Sequence, residues 1–179
     1  MYQDIKNFKQ IKGFRGKSKL YTQCWMIAQS TLFRLSPQFM YSWRNFLLRL
    51  FGAKIGKGVF IRSTVKVFHP WKLKIGNWSW IGDNVSLLNS DNITIGSNTV
   101  ISQNSYLAAG GHNYTKVTFD TILQPIKIED EVWIQSDVFI CPGVTVGFGT
   151  VIGYRSTVNK DLPPKMICYG YPAKPIKPR

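Results

Sequence analysis

The chain has 179 residues, 23 of them lysine or arginine against 9 acidic, for a formal charge of +14. That length suits one domain with an appendage, and the charge calls for an anionic partner: a phosphate-bearing co-substrate, a membrane surface or nucleic acid. Cys24, Cys141 and Cys168 form no CxxC pair, which argues against a disulfide framework or a zinc site, and with neither an apolar membrane span nor a secretory signal the chain reads as cytoplasmic.

Residues 1–54 form a basic arm and a helical cap. Up to about residue 20 the chain is polar, basic and glycine-containing (Lys6, Lys9, Lys12, Arg15, Lys17, Lys19), as an arm would be. From Tyr21 to Phe33 a mixed apolar segment predicts a helix ended by Ser36-Pro37. The same pair suits the start of a second helix, with Met40, Trp43, Phe46, Leu47, Leu50 and Phe51 on one stripe and Arg44 and Arg49 off it. Two readings stand for it: a cap on the open end of a repeat stack, or an interfacial helix leaning on an anionic membrane. With the cations taken as spread through the chain, ordinary solvation is a third account of the charge.

Over residues 55–162 an aliphatic returns every six positions, as in Ile75, Ile81, Leu87, then Ile95, Ile101, Leu107, then Ile128, Ile134, Ile140, Val146, Ile152 and Val158. Glycine often follows it (Gly76, Gly82, Gly96, Gly153), and a small or β-branched residue commonly sits four places after it (Thr99, Ser105, Val138, Val144, Thr150, Ser156). Six matches neither a helix nor plain strand alternation; it predicts an all-β solenoid, a parallel β-helix with three hexads per coil. Aliphatics point inward, small residues fill corners, and glycine and asparagine serve turns with unusual backbone angles. Two-residue slips at Leu73/Ile75 and Ile93/Ile95 suggest bulged corners, and residues 108–127 break the rhythm as one external loop on the binding face. Trp71, Trp78 and Trp80 are expected at corners, Trp133 and Phe139 at corners or along a channel wall. Residues 163–179 form a tail whose prolines 172, 175 and 178 exclude a regular helix.

His69 and His112 are the two histidines, too few for a three-histidine zinc site, so no metal is expected. His69 precedes Pro70, reads as exposed, and receives no role. His112 emerges from Gly110-Gly111-His112-Asn113-Tyr114 at the mouth of the external loop. An imidazole there suits taking a proton from a sugar hydroxyl as it attacks a thioester, then passing it to the leaving sulfur, with no serine or cysteine nucleophile. The alternative is a turn histidine bonded to its own loop backbone.

The hexads, the histidine loop and the ending Ile134-Gln135-Ser136, Pro142-Gly143-Val144-Thr145, Ile152-Gly153, Lys160-Asp161-Leu162-Pro163 and Gly170-Tyr171-Pro172-Ala173-Lys174 resemble the hexapeptide-repeat acyltransferases. The N-terminal blocks Lys12-Gly13-Phe14-Arg15-Gly16, Ser36-Pro37-Gln38, Trp43-Arg44, residues 48–56 and Pro70-Trp71-Lys72-Leu73 resemble the colanic acid biosynthesis acetyltransferases within that group. The resemblance implies a left-handed helix, a homotrimer and acetyl-CoA as donor. It also implies His112 as catalytic base, Asn84 at the acceptor, and Ser136, Tyr154, Asn159, Lys160 and Lys174 along the CoA channel, where Lys177 also suits a phosphate.

This chain departs from the family pattern where Gly111-His112-Asn113 replaces Ser-His-Asp, leaving Asp83 or Asp91 as candidate partners for the histidine. Gln135, Tyr154, Asn159 and Tyr171 also replace smaller or different residues and reshape the expected channel. The resulting expectation is acetyl-CoA-dependent O-acetylation of a sugar hydroxyl on an exopolysaccharide or its lipid-linked precursor, with peripheral contact to an anionic membrane. Its alternatives are sugar-nucleotide N-acetylation and a catalytically silent membrane-associated scaffold. Nucleic acid is not an expected partner, since no recognition motif is present.

Overall fold

Strands of two or three residues recur at the six-residue interval and stack into three parallel sheets, the faces of a triangular prism, in a computed structural model that describes residues 2–179. The first face runs Lys54–Ile55, Leu73–Ile75, Ile93–Ile95, Ile126–Ile128, Thr145–Val146; the second begins at Phe60–Ile61 and the third at Lys66–Val67. The result is a left-handed parallel β-helix of about six turns. Register places each aliphatic on its counterpart one coil away, Ile61 on Ile81 on Ile101 on Ile134 on Ile152, and all five are at most 2% exposed. Each such burial contributes about 1.5–3 kcal/mol that one coil alone cannot obtain.

The turns assign two jobs to two positions. The residue three after the aliphatic takes a left-handed backbone, at Gly58, Trp78, Asn84, Asn98, Asn104, Glu131, Asp137, Gly143, Gly149 and Arg155. The glycines directly after the aliphatics have no positive φ and serve close approach instead: a methyl on Gly96 would lie 2.5 Å from the Asp130 amide nitrogen. The small residues four after the aliphatic are buried as expected. The two-residue slips are three-residue strands rather than bulges, since Leu73 and Ile75 both point inward and pair with Ile93 and Ile95. Trp78 sits at a turn while Trp80, Trp133 and Phe139 stand outward on the faces, and Trp71 packs under the cap.

The helices close one end of the stack. Helix α1 (Lys19–Ala28) runs into a π-helical turn at Gln29–Phe33, and α2 (Tyr41–Leu50) follows. The expected stripe of α2 is rotated: Arg44, Asn45, Leu47 and Leu48 are buried, whereas Phe46 and Leu50 are exposed. Arg44 is drawn inside because its guanidinium satisfies four groups at once, donating to the carbonyls of Ile61, Pro37 and Gln38 and to the Ser36 hydroxyl. A buried cation so bonded is tolerable where an unpaired one is not. At the other end, Met166–Gly170 adds to the second face beside Val151–Ile152 and turns back as Ala173–Pro178, so residues 163–179 extend the stack.

The cations are not evenly spread. Fifteen lie within residues 5–82, which contain no aspartate or glutamate, while residues 83–179 hold eight cations and eight acids.

Candidate active site

Residues 109–125 leave the prism at the corner between the third and first faces. Gly110–His112 pairs antiparallel with Thr121–Leu123, so the loop is a hairpin anchored at its base, with His112 opposite Thr121. The imidazole Nδ1 lies 2.9 Å from the Phe119 carbonyl oxygen. An acceptor there requires the proton on Nδ1, leaving Nε2 as the unprotonated nitrogen of the neutral ring. Phe119 stacks on the ring at 4.2 Å and Phe8 of the arm meets it edge-on at 5.5 Å. The arm is therefore docked on the loop, as the Asp4 amide donating to Val117 also shows.

The loop meets its own polar needs. Asn113 Oδ1 accepts from the amide and hydroxyl of Thr115. Lys116 and Thr118 bond Asp120 and lower its carboxyl pKa. Neither expected acid partner bonds the ring: Asp83 bonds Arg62 and Thr64 on another corner, and Asp91, whose amide donates to Ala109 at the base of the loop, bonds its neighbour Asn92. The tautomer is set by a backbone carbonyl of the loop itself, the contact that the turn-histidine reading expects. On this edge, one coil beyond the loop, burial pushes the Cys141 thiol up in pKa, which keeps it protonated and poorly nucleophilic.

The residues singled out from the sequence divide between two edges. His112, Asn159 and Lys160 share the corner after the third face; Asn84, Ser136 and Tyr154 share the corner between the second and third. Lys174 lies opposite Tyr169 in the terminal hairpin. Asn84 donates its side-chain amide to Asn104, and its left-handed backbone also serves the turn. Ser136 is buried and Tyr154 exposed, with the Tyr154 amide held by Gln135 Oε1. Beside them opens a groove of about 540 Å³ walled by Trp133, Val151, Ile167 and Tyr169, with Arg179 at its rim. Sequence reasoning missed Phe8, Phe119, Tyr169 and Arg179. The one signal was Phe119, an aromatic seven residues after His112 in the same loop.

His69 is buried, not exposed. Its Nδ1 meets the Asn89 carbonyl at 3.1 Å, and Asn89 in turn bonds the His69 backbone. Burial lowers its pKa, assisted by Lys72 and Arg15. No cluster of metal-binding side chains occurs among the described residues, and none of their helices is long and apolar enough to cross a membrane.

No family model matches the chain, but individual relatives do. It is 50% identical over 177 residues to the Escherichia coli (strain K12) protein named "Putative colanic acid biosynthesis acetyltransferase WcaF", covering 99% of this chain and 97% of that one. The galactoside O-acetyltransferase of the same organism is 31% identical over 137 residues, covering 75% and 68%. A hexapeptide-repeat-containing acetyltransferase of Vibrio cholerae O1 biovar eltor, solved with acetyl coenzyme A, superposes with a TM-score of 0.82 at 25% identity, covering 95% and 93%. Fold and relatives together place the chain in the hexapeptide-repeat acetyltransferase family, as an enzyme that uses acetyl-CoA. Within that class the likeness to the colanic acid biosynthesis protein extends over nearly the whole chain, the N-terminal segment included.

Proposed function

We propose that the enzyme transfers acetyl from acetyl-CoA to a sugar hydroxyl of an exopolysaccharide or its lipid-linked precursor, with His112 as general base. The observation that supports this most is the Nδ1 contact with Phe119, which leaves Nε2 free to take a proton. Nε2 removes the hydroxyl proton as that oxygen attacks the thioester carbon. The tetrahedral intermediate then collapses by C–S cleavage, and the same proton passes from Nε2 to the leaving sulfur, giving the O-acetyl ester and free CoA. The aromatic pair around the ring restrains its orientation, as a near-attack geometry requires. A panel of hydroxyl and amine acceptors tests this: His112→Ala should lower kcat about 10²–10⁴-fold with the fold intact, and a smaller loss, or product only with amines, overturns it.

Because Asn84 and His112 lie on different edges of one prism, a complete site calls for two copies. We assign a homotrimer in which the edge carrying His112, Asn159 and Lys160 faces the neighbour's edge carrying Asn84, Ser136 and Tyr154, a heterologous contact that closes under threefold symmetry. Acetyl-CoA would lie between them, its pantetheine along the apolar groove and its phosphates toward Lys160, Lys174 and Lys177. Co-assembling His112→Ala with Asn84→Ala chains should restore about a quarter of wild-type sites, since one interface in four pairs two intact edges; no recovery from inactive parents overturns the shared site.

The enzyme would work in the cytoplasm, touching the inner face of the membrane. Leu20, Ile27, Leu35, Phe39, Phe46 and Leu50 are each more than half exposed on the cap, amid the acid-free, cationic segment. Apolar anchors beside lysine and arginine match an anionic lipid surface.

A further inference from the structure

A second groove, of about 490 Å³, lies between the arm, helix α1 and the outer side of the third face. It is a built site. Lys72 Nζ donates to the carbonyls of Phe14 and Ser90, and Trp71 Nε1 donates to that of Arg15, so the arm is pinned where it forms the wall. Opposite, the Gln29 side chain of the helical turn accepts from the Val67 amide at 2.6 Å. His69, 7% exposed, lines the groove with its Nδ1 occupied by the Asn89 carbonyl. Its Nε2 makes no hydrogen bond within the protein, which leaves the ring a lone-pair acceptor at the groove wall.

Two cations, Arg15 and Lys66, complete the lining, and no acidic residue does. The three ion pairs among the described residues use Arg62, Lys116 and Lys127, so neither cation is neutralised. Phe14 and Phe68 add apolar ring surfaces. Cations for an anion, an acceptor for a hydroxyl and flat apolar faces for a pyranose describe an acidic saccharide.

The groove also adjoins the histidine loop. A methyl on Gly110 would lie 3.0 Å from Ser90 Cβ in the groove wall, and His112 follows two extended residues later, about 7 Å away. The arm spans the same gap, with Phe8 on His112 and Phe14 in the groove.

We infer that this groove is a remote subsite for the acceptor, holding an anionic saccharide unit adjacent to the one presented to His112. The inference rests on the sugar-hydroxyl reading above. The anion is either a uronate carboxylate within the glycan or the phosphate of a lipid carrier, and both would meet Arg15 and Lys66 alike.

The test is calorimetric titration of the full-length protein with three probes: a uronate-containing disaccharide, its neutral counterpart, and a short-chain isoprenyl phosphate disaccharide. At least one anionic probe should bind at least tenfold more tightly than the neutral one. Lys66→Gln and Arg15→Gln should each weaken it about tenfold, while Lys57→Gln, on an exposed turn elsewhere, should not, and acetyl-CoA affinity should hold in all three. Which probe responds identifies the source of the anion. Equal binding of neutral and anionic probes, or anionic affinity unchanged within twofold in both variants, overturns the subsite. Binding that follows Arg15 and Lys66 while no hydroxyl is acetylated retires the sugar-hydroxyl reading but keeps an anionic saccharide site; acetylation indifferent to both residues does the reverse.

Discussion

Residues 5–82 carry fifteen cations and no acid, whereas residues 83–179 balance eight against eight. Yet both build the same coils: Gly58 and Trp78 in the first region take the left-handed turn that Asn98 and Asp137 take in the second, and Ile61 buries as fully as Ile134. The fold is indifferent to charge at outward positions, so the asymmetry reflects what the surface meets. The charge-balanced half holds the loop histidine; the cationic half holds the cap, the second groove and the exposed apolar side chains. On the proposed reading lipid contact falls to the cationic half, while the second groove, walled in part by Leu88 and Ser90, reaches across to the histidine loop.

Stability should break both halves alike, and this is the largest effect expected. Ile134→Ala removes an inward rung and should cost about 2–5 kcal/mol in urea unfolding. Arg44→Ala in the cap should cost at least about 3 kcal/mol, because it strands the buried carbonyl of Ile61 and the cap carbonyls it serves. A loss below about 1 kcal/mol at Arg44 would show the cap to be independent of the coils.

Lipid binding should separate them. Flotation with vesicles containing anionic lipid should retain the protein, with neutral vesicles releasing it, and each of Lys19→Gln and Arg34→Gln should weaken retention about fivefold, in keeping with about 1 kcal/mol per cation near the surface. Lys160→Gln and Lys174→Gln in the other half should leave vesicle binding unchanged. Equal effects from both pairs would mean the charge acts through net field alone.

The smallest effect concerns pH. Burial holds the His69 pKa below the ordinary 6.5, so the unfolded chain binds a proton more readily than the folded one. Stability is unaffected above about pH 7 and falls as pH drops below about 6.5. The urea midpoint should therefore decline between about pH 6.5 and 5, and His69→Gln should flatten that decline. A midpoint as steep in the variant as in the wild type would assign the sensitivity to other groups.

Much of this was legible in the chain because the six-residue period is local: an inward aliphatic, a small corner residue and a turn residue each act within one hexad, and stacking repeats the decision. The resemblance of the histidine loop and C-terminal blocks was enough to nominate His112 and the CoA-side residues. Spacing alone did not reveal that glycines after the aliphatics serve backbone approach between coils, since that contact joins Gly96 to Asp130, far along the chain. The α2 stripe was misread because hydrophobicity ranks arginine outside; four acceptors gathered from Ser36 to Ile61 bring Arg44 in.

By itself the sequence determined the coil, and its resemblance to a family supplied the handedness, the donor and the candidate base. The tertiary structure decided that a backbone carbonyl, not an acid, orients His112, that His69 is buried beside a groove, and that Asn84 and His112 stand on separate edges. Those facts depend on which distant segments the coils bring together, and a periodic sequence repeats the local pattern without recording which rung meets the arm, the cap or another copy.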